Sequence, residues 1–251
     1  MSELAGRSVV VTGASSGIGG ATASRLGRAG ARVTIAARRA ERLEALAGEL
    51  RAAGVDVLVQ RTDMRSEDDV VRMVAAAAAR FGGVDVLVNN AGLGRHAPLA
   101  AGATELWREM LEVNVLGLAI ATREAVRDMD RRGVAGHVVH VSSMAGHRIP
   151  GADSGMYGAT KFAVRGLTEG LRQELRAKRS PIRVSCVSPG YVDTEFSDVF
   201  RATAPASAAP AAPRPQGLSA DDVADAIWWI VTRPPHVQVH DVLVRPTEQR
   251  N

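Results

Sequence analysis

Ser8-Val9-Val10-Val11-Thr12-Gly13-Ala14-Ser15-Ser16-Gly17-Ile18-Gly19 is the stretch that decides the fold. A short β-branched run breaks into a glycine-rich turn, and helical periodicity follows at once over Gly20 to Ala29. Glycines permit a tight turn and let backbone amides approach a pyrophosphate at the positive end of the helix that follows. The spacing is Gly-x3-Gly-x-Gly and differs from the common Gly-x-Gly-x-x-Gly fingerprint. A purely structural turn is therefore the competing reading until the rest of the chain is considered.

Further Val-rich runs alternate with helical segments along the whole chain: Arg32 to Ala36, Val55 to Val59, Val84 to Val88, His137 to Val141, Ile182 to Val187 and Val239 to Val244. Continuous apolar runs of this kind belong to strands covered on both faces, as in a parallel sheet with helices on each side. Gly30, Gly54 and Gly82 follow helical stretches as C-terminal caps do. Ser66 with Asp69 and Ser219 with Asp222 have capping-box spacing, with Asp in place of the usual Glu or Gln, and predict two helix starts. The pattern predicts an α/β, doubly wound Rossmann-type sheet of seven parallel strands with helices on both faces. One domain over residues 1–251 is expected.

Composition excludes several classes of function. The chain has 251 residues, 46% of them apolar, which is enough for a full core. Lys supplies only two of the 31 basic side chains, and aromatics make up 4%, leaving little on which to stack bases. No nucleic-acid partner is expected. No stretch approaches 18 apolar residues and the N-terminus shows no signal-peptide pattern, so neither a membrane span nor secretion is expected. The single cysteine, Cys186, rules out an internal disulfide and fits a reducing, cytoplasmic setting. Of the six histidines only His236 and His240 have His-x3-His spacing, at the start of the last Val-rich run and not in a helical segment, and no catalytic metal is expected.

Arg201 to Gly217 is the one break in composition, holding Pro205, Pro210, Pro213 and Pro215 among alanines. It can be neither a normal helix nor a central strand. Its position after the sixth strand predicts a mobile substrate lid over residues 196–218.

Two residue sets carry chemistry. Tyr157 and Lys161 stand four apart in a chain with two tyrosines and two lysines, and on a helix that spacing stacks an ammonium beside a phenol. A near positive charge favours the phenolate, so Tyr157 is expected to become a usable acid or base near neutrality. The second set is Arg38 and Arg39, at the end of the second strand. NAD-selective folds place an acidic residue about 20 residues beyond the glycine turn; here arginines stand instead, and Arg38 can pair with a 2′-phosphate. NADP (NADPH) is the expected cofactor.

With these motifs in place, the chain resembles the short-chain dehydrogenase/reductase family. The match runs through Thr12 to Gly19, Asp63, Asn89-Asn90-Ala91-Gly92, Asn114, Ser143, Tyr157-x3-Lys161, and Pro189-Gly190 followed by Val192 and Thr194. Ser142 to Arg148 and the C-terminal Arg245-Pro246-Thr247-Glu248-Gln249 are most similar to its NADP-dependent branch with farnesol dehydrogenases and clavulanic acid dehydrogenase. The resemblance implies that Tyr157 is the general acid/base, that Lys161 lowers its pKa and holds the nicotinamide ribose, and that Ser143, with Ser142 as the competing choice, holds the substrate oxygen. Asn114 is implied to hold a water that links Lys161 to solvent. Gly13, Ser15, Ser16, Gly17, Ile18, Gly19, Arg38, Arg39, Asp63, Met64, Asn90, Ala91, Gly92, Pro189, Gly190, Val192 and Thr194 are implied to contact the cofactor.

The loop Gly146 to Gly155 is one residue longer than in similar proteins and is expected to bulge. The family's habit of assembling implies a homotetramer or dimer built on helices over Leu106 to Met129 and Tyr157 to Ala177. Apolar Leu93, Met144, Ile149 and Met156 suggest a hydrophobic ketone, aldehyde or alcohol as substrate. A catalytically silent dinucleotide sensor of the same fold is the alternative; the intact Ser143, Tyr157 and Lys161 argue against it.

Overall fold

The computed structural model describes residues 4–204 and 216–249. Seven parallel strands form one sheet: β1 (Ser8–Thr12), β2 (Arg32–Ala37), β3 (Val57–Arg61), β4 (Val86–Asn89), β5 (His137–Val141), β6 (Arg183–Pro189) and β7 (Asp241–Val244), in the spatial order β3-β2-β1-β4-β5-β6-β7. The helices are α1 (Gly17–Arg28), α2 (Ala40–Ala52), α3 (Glu67–Phe81), α4 (Thr104–Leu111), α5 (Leu118–Arg132), α6 (Gly155–Ala177), α7 (Phe196–Arg201) and α8 (Ala220–Val231). The doubly wound arrangement expected from the alternation of apolar runs and helices is the one found.

Period-two alternation divides the β1 side chains between two cores. Val9 and Val11 point to one face, where Leu26 of α1, Leu43 and Leu50 of α2 and Ile227 of α8 cover them. Val10 points to the other, against Val70 and Met73 of α3, Met110 of α4, Met129 of α5 and Leu175 of α6. Both faces are dry, which is why the strands read as unbroken apolar runs.

Four strands start later than their apolar runs, β6 by one residue and β3, β4 and β7 by two, and at β3 and β4 the cause is visible. Val55 is buried, yet it serves the turn before β3, where its side chain packs onto Gly27 so tightly that a Cβ there would lie 2.8 Å from Val55 Cγ1. Val84 is buried before β4, and its amide donates to Asp128 Oδ2 at 2.8 Å. Burial without strand pairing accounts for both differences. The capping signals also divide. At α8 the full box forms: Ser219 Oγ accepts from the Asp222 amide while Asp222 accepts from the Ser219 amide. At α3 only half forms, because the Asp69 carboxylate turns to the Asp63 amide instead.

The helix predicted over Leu106 to Met129 is not uniform. Between α4 and α5 the chain makes a π-helical turn over Glu112–Gly117 with Asn114 inside it. The wider turn accommodates a side chain that faces inward to bond a neighbouring loop rather than its own helix, a common use of π-turns at functional sites. Gly117 ends that turn against Met64, where a Cβ would collide with the Met64 carbonyl.

The ends of the expected lid are built differently. α7 closes its N-terminal part. At the other end Leu218 donates to Tyr191 O at 3.0 Å, accepts from the Asp193 amide at 2.8 Å, and bridges to Val192 in parallel register. The Gly217 amide also donates to Asp193 Oδ2 at 3.2 Å, so Gly217 and Leu218 are fastened to the chain after β6. The proline-rich centre of that expectation, 205–215, lies outside the described residues.

Candidate active site

A cavity of about 520 Å³ opens above the C-terminal ends of β1, β4, β5 and β6, where strand order reverses between β1 and β4. That crevice is where open α/β sheets bind ligands, and the volume is of the size used for small molecules and cofactors. Its floor is the glycine turn. Gly13 has φ +70°, and a Cβ on it would meet Ala91 Cα at 2.8 Å, so glycine is required for both conformation and space. Every expected cofactor residue lines this cavity except Gly19. Gly19 lies beneath the turn instead, where a Cβ would collide with the Gly13 carbonyl and Asn90 Nδ2. Its absence of side chain lets α1 approach β1.

Ser16 occupies the N-cap of α1, yet its side chain makes no cap hydrogen bond, and no acidic residue stands in the first turn. Its hydroxyl accepts from Arg39 Nη2 at 2.7 Å. The first amides of α1 therefore face the cavity without a side-chain partner from the cap, which suits an anionic group. These features fit the pyrophosphate of a dinucleotide. Asn90 holds the turn in place: its Nδ2 donates to Thr12 O at 2.9 Å, while Thr12 Oγ1 accepts from the amides of Asn90 and Ala91 at 3.1 and 3.0 Å. Asn89 is the deeper residue, donating to Thr122 Oγ1 at 2.8 Å.

Beyond the end of β2, hydrogen bonds from Arg65 and Arg95 hold the carboxyls of Asp63 and Glu109, respectively, below their ordinary range, and the charge of the exposed Arg38 adds a smaller contribution to both. Arg65 Nη2 lies 2.6 Å from Asp63 Oδ2. Asp63 also accepts from the Arg65 amide, so the turn role open to it in the sequence is fulfilled as well.

At the opposite end stand the expected catalytic residues. Ser143 follows β5 and caps a short 3-10 turn, its Oγ accepting from the Ala145 amide at 3.0 Å. Ser142, the competing choice, is buried and donates to Lys161 O at 3.0 Å, which commits it to fastening α6 to β5. Tyr157 lies in the first turn of α6, and Lys161 one turn on. The structure corrects one expectation here. Lys161 Nζ donates to Val141 O at 3.0 Å and sits 5.9 Å from the Tyr157 ring centre, so its ammonium does not dominate the phenol. Part of the Tyr157 ring faces the cavity, but burial pushes its hydroxyl up to about 12, opposed only by the hydrogen bond with the Ser143 hydroxyl. Burial also brings the Lys161 ammonium down, to about 8.

Asn114 does not line the cavity. It lies behind Gly92, accepting from the Leu93 amide at 2.8 Å and donating to Leu93 O at 2.8 Å and Thr160 Oγ1 at 3.0 Å. A Cβ on Gly92 would touch both Lys161 Nζ, at 3.3 Å, and Asn114 Oδ1, at 3.4 Å. Asn114 Oδ1 and Lys161 Nζ thus face the same space, the one that a side chain at Gly92 would fill.

Three residues at the site were not singled out as site residues from the sequence, although Phe196 and Phe200 fall in the expected lid and Gln249 in the C-terminal motif. Phe196 and Phe200 on α7 place their rings 5.3 and 6.5 Å from that of Tyr157. They were hidden because contact from 40 residues downstream depends on how the chain returns after β6. Gln249, from the C-terminal turn, lines the cavity and accepts from the Tyr191 amide at 2.9 Å. Outside the cavity lining, Arg95 pairs with Glu109 at 2.8 Å, and His96 and His147 stand 3.6 and 3.7 Å from Asp153 and Asp241.

The family model described as short chain dehydrogenase matches residues 7–205. This chain belongs to that family. It is 45% identical over 247 residues to dehydrogenase/reductase SDR family member 11 of Bos taurus, covering 97% of each chain. It is 38% identical over 253 residues to farnesol dehydrogenase of Aedes aegypti, covering each completely. The closed form of serine dehydrogenase complexed with NADP+ superposes with a TM-score of 0.88 at 34% identity, over 97% of this chain and 96% of that one. Other similar structures hold NADP or NAD. The resemblance read from the sequence is therefore correct at family level, and the short-chain dehydrogenase is an oxidoreductase of the nicotinamide-dinucleotide type. No helix among its described residues is long and apolar enough to cross a membrane.

Proposed function

We propose that this short-chain dehydrogenase is an NADP(H)-dependent oxidoreductase that interconverts a hydrophobic ketone or aldehyde and the corresponding alcohol. The observation that carries this reading is the arrangement of one cavity: Ser143, Tyr157 and Lys161 at one end, Arg38 and Arg39 at the other, the glycine turn between. The glycine turn, Arg38 and Arg39 would hold a dinucleotide there, and that group would supply or accept the hydride.

The chain supplies orientation and a proton. With its hydroxyl held up near 12, Tyr157 is a neutral phenol at physiological pH and gives its proton to the carbonyl oxygen during reduction. In oxidation it takes the proton back. Ser143 donates a hydrogen bond to the same oxygen, where negative charge develops. Lys161, mostly cationic below its value of about 8, stabilises the phenolate left behind. Asn114 fixes the loop at Leu93, and so the cavity wall beside Lys161. Leu93, Met144, Phe196 and Val199 give the substrate end an apolar lining. Leu116 and Phe162, exposed on the π-turn and α6, support assembly through those helices as a dimer or tetramer.

The test is turnover of NADPH and NADH with a panel of ketones, aldehydes and quinones, followed at the nicotinamide absorbance band. Reduction of an apolar carbonyl with NADPH preferred is expected. Tight NADPH binding with no turnover of any substrate in either direction would contradict it.

A further inference from the structure

The two arginines at the end of β2 have different surroundings. Arg38 stands exposed, while Arg39 is engaged by several acceptors at once. Its Nε and Nη2 donate to Ser15 Oγ at 3.1 and 3.0 Å, and Nη2 also to Ser16 Oγ at 2.7 Å. Its Nη1 donates to Glu195 Oε2 at 2.9 Å. The other oxygen of that carboxylate, Oε1, accepts from Arg42 Nη1 at 2.5 Å. Glu195 is the residue immediately before α7, so this carboxylate joins the helix that carries Phe196 and Phe200 to the start of α2 across the cavity mouth.

Carboxylate and phosphate are both acceptors that suit a guanidinium, and here one carboxylate oxygen already accepts from Arg39 Nη1, beside the glycine turn. A 2′-phosphate carries about −1.5 to −2 charges at neutral pH, as phosphate monoesters do. To reach Arg39 it must displace Glu195 or share the guanidinium with it against like-charge repulsion. Arg42 gives Glu195 a second cation, so the carboxylate is not stranded when Arg39 changes partner. NAD(H), which lacks the phosphate, leaves the Arg39–Glu195 pair undisturbed.

We propose that Glu195 is a specificity-determining residue for the dinucleotide: an internal anion that competes with the 2′-phosphate for Arg39 and so moderates the preference for NADP(H) over NAD(H). This rests on the NADP reading given above. Arg39 and Glu195 are 44% and 47% exposed, so the effect is that of a solvent-screened pair, a few-fold in affinity and dependent on salt.

Glu195→Gln, which keeps the shape and removes the charge, tests this in the full chain. Binding is measured by titrating nicotinamide fluorescence with NADPH and NADH, and by competition with 2′,5′-ADP and 5′-AMP. The expected result at low ionic strength is a gain of about twofold to fivefold for NADPH and 2′,5′-ADP with no change for NADH and 5′-AMP. The gain should fade near 1 M salt and vanish when the same change is made in an Arg39→Ala background. Equal changes for both dinucleotides, or weaker NADPH binding, would overturn the proposal, since either means that Glu195 acts as a clasp and not as a competitor. If the unaltered chain prefers NADPH but Glu195→Gln leaves the ratio unmoved, this inference alone falls. If the unaltered chain shows no NADPH preference, the NADP reading fails and takes the inference with it.

Discussion

Replacing Lys161 by Met should make the stability difference between the variant and the unaltered protein depend on pH. Lys161 is 5% exposed, and burial lowers its ammonium from 10.5 to about 8. A depressed lysine pKa means that the folded state resists protonation. Between about 8 and 10.5 the unfolded chain binds the proton and the folded one does not, so the unaltered protein gains stability as pH rises through that window and loses it as pH falls. A shift from 10.5 to about 8, at 1.36 kcal/mol per unit, corresponds to roughly 3 kcal/mol. The bond from Nζ to Val141 O contributes about 1 kcal/mol, a constant that shifts the comparison at every pH without changing its slope. Denaturant unfolding of both proteins at pH 7 and pH 10.5 measures it, because all other titrating groups cancel. The unaltered protein should gain most of the roughly 3 kcal/mol relative to Lys161→Met, equivalent to about 6–12 °C in Tm for a chain of this size. A difference independent of pH would refute the claim that a buried ammonium is held here at a cost to stability.

Three more outcomes follow from the geometry. His140 is buried between Thr122 and Thr168, and burial lowers it to about 3, so stability contributed by its neutral form is lost as pH falls from about 6.5 toward that value; His140→Asn should flatten the acid-unfolding profile there, and an unchanged profile would place the acid lability elsewhere. A Cβ at Gly94 would meet Phe196 Cζ and Phe200 Cδ2 at 2.8 Å each, so Gly94→Ala should push both rings aside and alter KM for bulky substrates severalfold with little change in Tm; an unchanged KM would separate α7 from substrate binding. Arg38→Asp places a carboxylate at the adenosine ribose and should move cofactor preference from NADPH toward NADH, read as the ratio of kcat/KM values; an unmoved ratio would remove Arg38 from 2′-phosphate recognition.

How much of this was readable beforehand depended on distance along the chain. The glycine turn, the Tyr157 and Lys161 pair and the β-branched runs are local patterns whose spacing implies a conformation, and the structure brings them to one crevice. Val55 and Val84 misled because burial, which apolar character signals, does not require strand pairing. The π-turn at Asn114 was illegible because nothing in Glu112–Gly117 breaks a helix; the inward bonds to Leu93 and Thr160 create it. Glu195, Phe196 and Phe200 depend on how α7 returns over the sheet after β6. The charge on Tyr157 was misjudged for a related reason. Four-residue spacing shows that an ammonium is near, but not that its Nζ is turned to Val141 O and that aromatic rings bury the phenol.

The central claim is that the Tyr157 hydroxyl moves the proton in the reaction. Tyr157→Phe removes that oxygen and keeps the ring that packs against Phe196. Measured with saturating NADPH and the best carbonyl substrate of the panel, kcat should fall by about 10²-fold to 10⁴-fold while NADPH affinity stays within about twofold. A kcat within a few-fold of the unaltered enzyme, with binding intact, would contradict the account.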